Sequence, residues 1–115
     1  MITAKNIHYC YDSLKVLKGV DLNIKKGEFV CIIGSSGAGK TTLLQLIGTL
    51  DKIQKGTLEI NNKDINNLSD QEISKFRNKE IGFVFQFHNL LHEFTALENI
   101  CLPAYLYRNT SVETI

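Results

Sequence analysis

The stretch "IGSSGAGKTTLL", residues 33–44, places three glycines and a lysine between two apolar runs. Gly34, Gly39, Lys40 and Thr41 follow the spacing G-x-x-x-x-G-K-[ST], with Gly37 between them. A plain turn needs one glycine or two, so the run calls for another explanation. By average residue usage, four fixed positions coincide on the order of once in 10⁴–10⁵ starting points, which makes a chance match in a chain this short unlikely.

The flanking segments give this spacing its meaning. "EFVCIIG" (28–34) is a continuous β-rich apolar run, as expected of a strand buried on both faces of a parallel sheet. "KTTLLQLIGTL" (40–50) has leucine and isoleucine at helical spacing, at Leu43, Leu44, Ile47 and Leu50. The strand–loop–helix order predicts a phosphate-binding loop at residues 34–41.

The chemistry of such a loop follows from its residues. Gly37 and Gly39 permit backbone conformations that a β-carbon would hinder, so successive N–H groups can point at the β- and γ-phosphates. Those phosphates would lie at the positive end of the following helix. Lys40 adds a point charge, and the Thr41 hydroxyl is a ligand for Mg²⁺.

Composition narrows the class of protein. The chain has 115 residues, 43% hydrophobic and 22% charged, which suits one globular domain at most. A net charge of +1 gives no argument for nucleic-acid binding. Cys10, Cys31 and Cys101 form no C-x-x-C pair and read as reduced thiols. We expect a cytoplasmic protein, because no signal peptide is visible and the longest apolar run, "FVCII", is too short to cross a bilayer.

The rest of the chain reads as short strands and helices. Strands are predicted at 2–11, where polar and apolar residues alternate, at 16–24, and at 81–87 ("IGFVFQF"), which looks buried. Asn61–Asn62 between two apolar runs predicts a hairpin turn. Two capping boxes predict helix starts, and the second helix is expected to be interrupted at Pro103. The boxes are Ser69 with Glu72 and Thr95 with Glu98.

Two longer segments carry a resemblance to a known family. "GSSGAGKTTLLQLIGTLD" resembles the Walker A segment of ATP-binding cassette (ABC) ATPases, and "IGFVFQFHNLLHEFTALENICLP" resembles their Q-loop region around Gln86. The match covers essentially all 115 residues. It departs from the family at Ile53, where proline is frequent, and at Asn62, where glycine is frequent.

The resemblance implies ATP and Mg²⁺ as cofactors. It assigns Lys40 and Gln86 as catalytic residues and Thr41 and Gln86 to the metal; taken alone, Gln86 would more often be a polar core residue. An aromatic residue of the family stacks on adenine, and Tyr11 matches it, with Tyr9 as a competitor; either ring could instead pack in the core. The implied ATP-binding residues are Tyr11, Gly34, Ser35, Ser36, Gly37, Ala38, Gly39, Lys40, Thr41 and Thr42.

The fold implied is α/β: a parallel P-loop sheet joined to an ABC-type antiparallel β subdomain. The implied function is ATP hydrolysis coupled to transmembrane permease subunits, with two ATPase copies dimerised head to tail at the cytoplasmic face of the inner membrane. "QFHNLLHEFTALEN" is most similar to ATPases that drive lipoprotein release. Macrolide exporters and cell-division ABC complexes are the alternatives. A soluble ABC ATPase acting on nucleic acid or ribosomes and a binding module with a dead site are more distant ones.

The family's later motifs, among them the LSGGQ signature, do not occur in these 115 residues. Residues 1–115 therefore look like the N-terminal portion of one ABC ATPase domain, truncated before the signature motif, and we expect this portion to be inactive by itself. Its permease-docking surface is expected within 87–107, where Phe87, Leu90, Leu91 and Phe94 cluster.

Overall fold

The computed structural model describes residues 1–35, 37, 39–86 and 89–106. The chain divides into two compact units, residues 1–73 and 74–115. The elements in chain order are strands β1 (Ile2–Tyr11) and β2 (Leu14–Ile24), helix α1 (Lys40–Ile47), strands β3 (Lys55–Ile60) and β4 (Lys63–Asp64), a 3₁₀ turn (Ile65–Asn67), and helices α2 (Asp70–Glu80) and α3 (Ala96–Leu106).

The first unit is built on an antiparallel sheet of four strands in the order β2-β1-β3-β4. Strand β1 pairs with β2 from Ile2 to Tyr11, and with β3 from Ile2 to His8, which lies opposite Lys55. The predicted strands at 2–11 and 16–24 are confirmed. Asn61 and Asn62 have φ angles of 51° and 65°, so the predicted hairpin turn is present with two left-handed residues.

The alternation of β1 is broken by a bulge that its sequence pattern did not reveal. Ala4 and Ile7 are both buried although they are three residues apart, and the pairing register shifts between them. Asn6, inside the bulge, has a φ angle of 51°. Gly56 of β3 passes so close that a β-carbon there would collide with the carbonyl oxygens of Lys5 and Asn6. Glycine is therefore required at this crossing.

The core of the first unit lies between the sheet and α1. Helix α1 contributes Leu43 and Leu46, of which only Leu43 belongs to the predicted apolar positions. Leu44 is about half exposed, and Leu50, also exposed, lies beyond the end of the helix at Ile47. The other buried apolar residues of this unit are Ala4, Ile7, Tyr9, Leu17, Leu58, Ile60 and Ile65.

The two strands predicted as buried, 28–34 and 81–87, are not strands in the part of the chain that is described. Phe29 and Val84 are fully exposed, and Ile33 is 86% exposed. A strand of a parallel sheet takes its hydrogen bonds from neighbours that are distant in sequence. No described segment pairs with either run, so neither has the partners that would bury it.

Both capping boxes are confirmed. The Ser69 N–H donates to Glu72 Oε2 (2.8 Å) and the Glu72 N–H to Ser69 Oγ (3.2 Å), which opens α2. Thr95 and Glu98 exchange the same pair of bonds before α3.

The predicted interruption at Pro103 is wrong, because α3 continues through it to Leu106. The side-chain amide of Asn78 donates to the Pro103 carbonyl (2.8 Å), so this backbone acceptor has a partner.

Across the described residues, we find no helix with the length and apolar character that a membrane span requires.

Candidate functional site

The loop before α1 is shaped by two left-handed glycines. Gly37 and Gly39 have φ angles of 81° and 90°. The Leu43 N–H donates to the Gly39 carbonyl (2.9 Å), so Gly39 begins the helix. A β-carbon on Gly39 would lie 2.9 Å from Val16 Cγ1 and 3.0 Å from Leu17 Cδ2, whereas one on Gly37 would meet nothing within 4 Å. Gly39 therefore packs the loop against β2, while Gly37 borders open space.

The polar side chains at the start of α1 surround the same space. Lys40 is half-buried, and its ammonium group donates to the carbonyl of Gly34 at the opposite end of the loop. Thr41 is exposed and Thr42 is buried. Of the remaining predicted loop residues, Ser35 is exposed, and Ser36 and Ala38 lie outside the described residues. The loop thus presents one cation at the positive end of a helix.

A cavity of about 400 Å³ lies against this loop. Six predicted site residues line it together with Val16: Tyr11, Gly37, Gly39, Lys40, Thr41 and Thr42. The structure therefore brings together an aromatic ring from β1 and the glycines, lysine and threonines of the loop. Its volume falls in the range of about 300–1,000 Å³ usual for small-molecule sites. The lining thus combines an aromatic ring with polar and cationic groups.

The environments of Tyr9 and Tyr11 distinguish the two candidate rings. Tyr9 is 8% exposed, and its hydroxyl donates to Asp51 Oδ2 (2.8 Å). That hydrogen bond, with burial and the Asp51 charge, raises the pKa of Tyr9 above its ordinary value. Tyr11 is 46% exposed, and the two rings meet edge to face, with centroids 5.0 Å apart at 71°. Tyr11 is therefore the ring with surface available to a ligand.

The hydroxyl of Tyr11 connects the ring to the helix. It lies 3.3 Å from Thr42 Oγ1, and either oxygen can donate. Because Thr42 is in the first turn of α1, this contact joins the aromatic side of the cavity to the element that carries the loop. No sequence pattern signalled this pairing.

Sequence reasoning also missed Asp51 and Gln54, which lie between α1 and β3. Asp51 holds Tyr9 as described above. The Gln54 side chain accepts from the Cys10 N–H (2.8 Å) and donates to the Cys10 carbonyl (3.0 Å). An isolated glutamine in a loop has no motif, so only the folded contact identifies it.

The residues present fit a magnesium nucleotide. The Thr41 hydroxyl is exposed at the cavity, and protein-bound Mg²⁺ typically takes few protein ligands and completes its shell with phosphates and water. Within the described segments, no group of three or more His, Cys, Asp or Glu side chains is placed to hold a metal. Thr41 therefore suits a metal that arrives with its nucleotide.

Gln86, predicted to contact the metal and the attacking water, lies in the second unit and is exposed. It follows the unpaired run 81–85, in which Phe83 and Phe85 stack with centroids 5.3 Å apart. Its assigned role remains a prediction.

The second unit also contains an ordered turn before α3. Asn99 accepts from the Leu91 N–H (2.9 Å) and donates to the carbonyls of Leu91, Phe94 and Thr95. Around this turn lie exposed apolar side chains: Leu90, Leu91, Phe94, Leu97 and Ile100. Of the predicted docking residues, Leu90, Leu91 and Phe94 are exposed as expected, and Phe87 lies outside the described residues.

Comparison with known proteins identifies the family. Residues 17–115 match the family model described as ABC transporter. The lipoprotein-releasing system ATP-binding protein LolD of Bacteroides thetaiotaomicron is 55% identical over 113 residues, 98% of this chain and 52% of the relative. LolD of Aquifex aeolicus is 46% identical over 103 residues, 90% of this chain and 46% of the relative. The chain thus spans about half the length of the curated relatives it matches.

Solved structures agree with this assignment. The dimeric structure of MJ0796, a bacterial ABC transporter cassette, is 47% identical with a TM-score of 0.90, covering 96% of this chain and 50% of that one. A second dimeric MJ0796 structure, in a post-hydrolysis state bound to ADP and Pi, is 46% identical with a TM-score of 0.87, at the same coverage. The predicted fold class, an ABC-type nucleotide-binding domain, is confirmed. The chain belongs to the ABC transporter family of ATP-binding cassettes.

Proposed function

We propose that this chain forms the nucleotide-binding portion of an ABC transporter ATPase and binds Mg-ATP in the cavity between Tyr11 and the loop at 34–41. The observation that carries the proposal is the lining of that cavity. The half-exposed Tyr11 ring, the loop glycines, a lysine and two threonines all border it. An aromatic ring suits the adenine base, and a lysine at a helix N-terminus suits the triphosphate.

The residues divide the work of binding. Tyr11 stacks on the adenine base, because its ring is more exposed than that of Tyr9 and borders the cavity. The backbone N–H groups of the loop and the Lys40 ammonium hold the β- and γ-phosphates. Thr41 would hold Mg²⁺, which would neutralise charge on the phosphate oxygens. Phosphoryl transfer depends mainly on such positioning and charge stabilisation.

The catalytic unit is proposed to be a head-to-tail dimer with a second copy of the ATPase. Two solved MJ0796 cassettes related to this chain are described as dimeric, one of them bound to ADP and Pi. Gln86 is proposed to act at the metal and the attacking water. Lys40 and Gln86 are the catalytic residues that we propose for this part of the chain.

The proposed biological role is lipoprotein release from the inner membrane, with the ATPase bound peripherally at the cytoplasmic face to permease subunits. Support comes from the relatives named LolD, which are 46–55% identical to this chain in organisms as distant as Aquifex and Bacteroides. The exposed apolar side chains around the Asn99 turn offer a docking surface. A macrolide-exporter or cell-division permease is the alternative partner. Action on nucleic acid has no support from the net charge of +1.

Calorimetry with Mg-ATP tests the proposal in the full-length protein. Lys40→Ala removes the cavity's lysine charge, and we expect it to abolish detectable binding. Lys52→Ala is the matched control, since Lys52 forms an exposed ion pair with Asp70 (2.8 Å), of a kind that contributes little to stability. Unchanged affinity in Lys40→Ala would overturn the assignment of the loop.

A further inference from the structure

The end of strand β1, where Tyr11 lies, is completed by a side chain instead of a strand. Backbone pairing between β1 and β3 reaches His8 opposite Lys55 and goes no further. Cys10 lies beyond this limit, and its N–H and carbonyl are both taken by the Gln54 amide, at 2.8 and 3.0 Å. A primary amide carries the same donor and acceptor as a peptide group. Gln54 therefore extends the ladder past the start of β3.

This extension coincides with a weak point in the sheet. On its other side, β1 pairs with β2 across a register shift between Tyr9 and Cys10. A bulge of this kind disrupts the ladder locally and re-aims the side chains next to it. Tyr11, the last residue of β1, directly follows the residue whose backbone Gln54 holds.

A second contact near Gln54 supports the Tyr11 ring through its neighbour Tyr9. The hydroxyl of Tyr9 donates to Asp51, which precedes Gln54 by three residues, and the Tyr9 and Tyr11 rings meet edge to face. Segment 48–54, which contains Asp51 and Gln54, directly follows α1, whose first turn carries the phosphate loop. This segment consequently links the strand end that carries Tyr9 and Tyr11 to α1.

We propose that Gln54 is a positioning residue for base recognition: by clamping the Cys10 backbone it fixes the angle at which Tyr11 presents its ring to adenine. The inference rests on the proposed function, since it requires ATP to bind in this cavity. Aromatic stacking depends on ring geometry, so a freely tilting Tyr11 binds the base less tightly. The phosphates, held by the loop, do not depend on this clamp.

The test compares Mg-ATP with Mg-tripolyphosphate, which lacks the base, in the full-length protein. Gln54→Leu keeps a similar size and removes both hydrogen bonds to Cys10. We expect Mg-ATP affinity to fall about three- to tenfold, less than the roughly five- to 150-fold loss expected for removing a stacked ring. The affinity of Gln54→Leu for tripolyphosphate should stay within about twofold of the wild-type value. The ratio of ATP affinity to tripolyphosphate affinity therefore measures the contribution of Gln54 to base binding.

Asn66→Leu is the matched control. The Asn66 amide donates to the Gly56 carbonyl (2.9 Å) in the same sheet, away from the residues that line the cavity. It should leave the ratio unchanged. If Gln54→Leu binds neither ligand, Gln54→Glu replaces it, since a carboxylate still accepts from the Cys10 N–H but cannot donate to the carbonyl.

The outcomes separate this inference from the proposed function. An unchanged ratio in the Gln54 variant, or an equal fall for both ligands, would overturn the positioning role while leaving ATP binding intact. If the wild-type protein binds Mg-ATP no more tightly than Mg-tripolyphosphate, the base is not recognised at this cavity. That result would overturn both base recognition and the role of Gln54. A lowered ratio in the Gln54 variant beside an unchanged ratio in Asn66→Leu supports the proposal.

Discussion

At the scale of single residues, two neighbouring tyrosines divide structural and binding roles. Tyr9 is buried and its hydroxyl is bonded to Asp51, whereas Tyr11 is about half exposed at the cavity. We expect Tyr11→Ala to weaken ATP by roughly 1–3 kcal/mol, the range of comparable base–aromatic contacts. Affinity for bare triphosphate should be nearly intact, because no phosphate contact is lost. Titration with both ligands measures the two effects separately.

The companion substitution decides between the rings. Tyr9→Ala should lower the free energy of unfolding by about 3–5 kcal/mol, the usual cost of truncating a large buried aromatic side chain. If Tyr9→Ala selectively weakens ATP over triphosphate and Tyr11→Ala does not, then Tyr9 is the base-stacking ring and our choice is wrong.

The loop glycines differ in what they tolerate. Gly39→Ala combines a left-handed φ of 90° with a β-carbon 2.9 Å from Val16, whereas Gly37→Ala has a φ of 81° and open space. Left-handed strain costs roughly 1–2 kcal/mol in either variant. Overpacking adds about 1–3 kcal/mol in Gly39→Ala alone. Urea unfolding should therefore show the larger loss of stability for Gly39→Ala, and equal losses would contradict the packing described for the loop.

At the scale of elements, the β3–β4 hairpin has a suboptimal turn. Both turn residues have positive φ, and Asn62, at 65°, occupies the position where such turns prefer glycine. Asn62→Gly should raise the free energy of unfolding, by up to about 1 kcal/mol, because glycine carries no penalty in this region. Thermal or urea unfolding measures it. If Asn62→Gly instead lowers the free energy of unfolding, the Asn62 side chain stabilises the hairpin by more than its positive φ destabilises it.

The turn held by Asn99 is the element we expect to meet the permease. A cysteine placed at Leu90, carrying a cross-linker, should capture an inner-membrane permease of the lipoprotein-release type. Adding Asn99→Leu, which deletes the bonds to Leu91, Phe94 and Thr95, should reduce that capture while Mg-ATP affinity stays unchanged. Capture of a drug-exporter permease instead would move the assignment to the macrolide exporters.

Local signals in the sequence predicted local structure well. The capping boxes, the Asn61–Asn62 turn and α1 depend on residues within a few positions of one another, and all are present. The glycine–lysine–threonine spacing likewise predicted most of the residues that line the cavity. Features that depend on distant residues were not predictable. The β1 bulge, which needs Gly56, and the Gln54 clamp, which joins residues far apart in the chain, carry no local pattern.

Strands 28–34 and 81–87 were wrongly predicted for a related reason. Apolar β-rich character shows that a segment favours a strand, but pairing requires a neighbour, and none is present among the described residues. The interruption predicted at Pro103 is wrong in the opposite direction, because α3 continues through the proline to Leu106 although proline alone disfavours a helix interior.

At the scale of the molecule, exposed apolar surface limits what residues 1–115 can do by themselves. Phe29 and Val84 are fully exposed and Ile33 is 86% exposed. Apolar runs without strand partners favour aggregation. We expect the 115-residue chain to bind nucleotide weakly at best and to hydrolyse no ATP above background. A monodisperse preparation that turns over ATP, with turnover lost in Lys40→Ala, would contradict this expectation.

The most direct test of the central claim is to locate bound nucleotide in the full-length protein by photolabelling. An azido-adenine analogue of ATP, activated in the presence of Mg²⁺, should label the β1 peptide at Tyr11, since that ring faces the base in the proposed site. Excess ATP and Lys40→Ala should both prevent the labelling. A label that maps away from residues 9–16, or labelling of Tyr11 that survives Lys40→Ala, would contradict a single site shared by ring and loop.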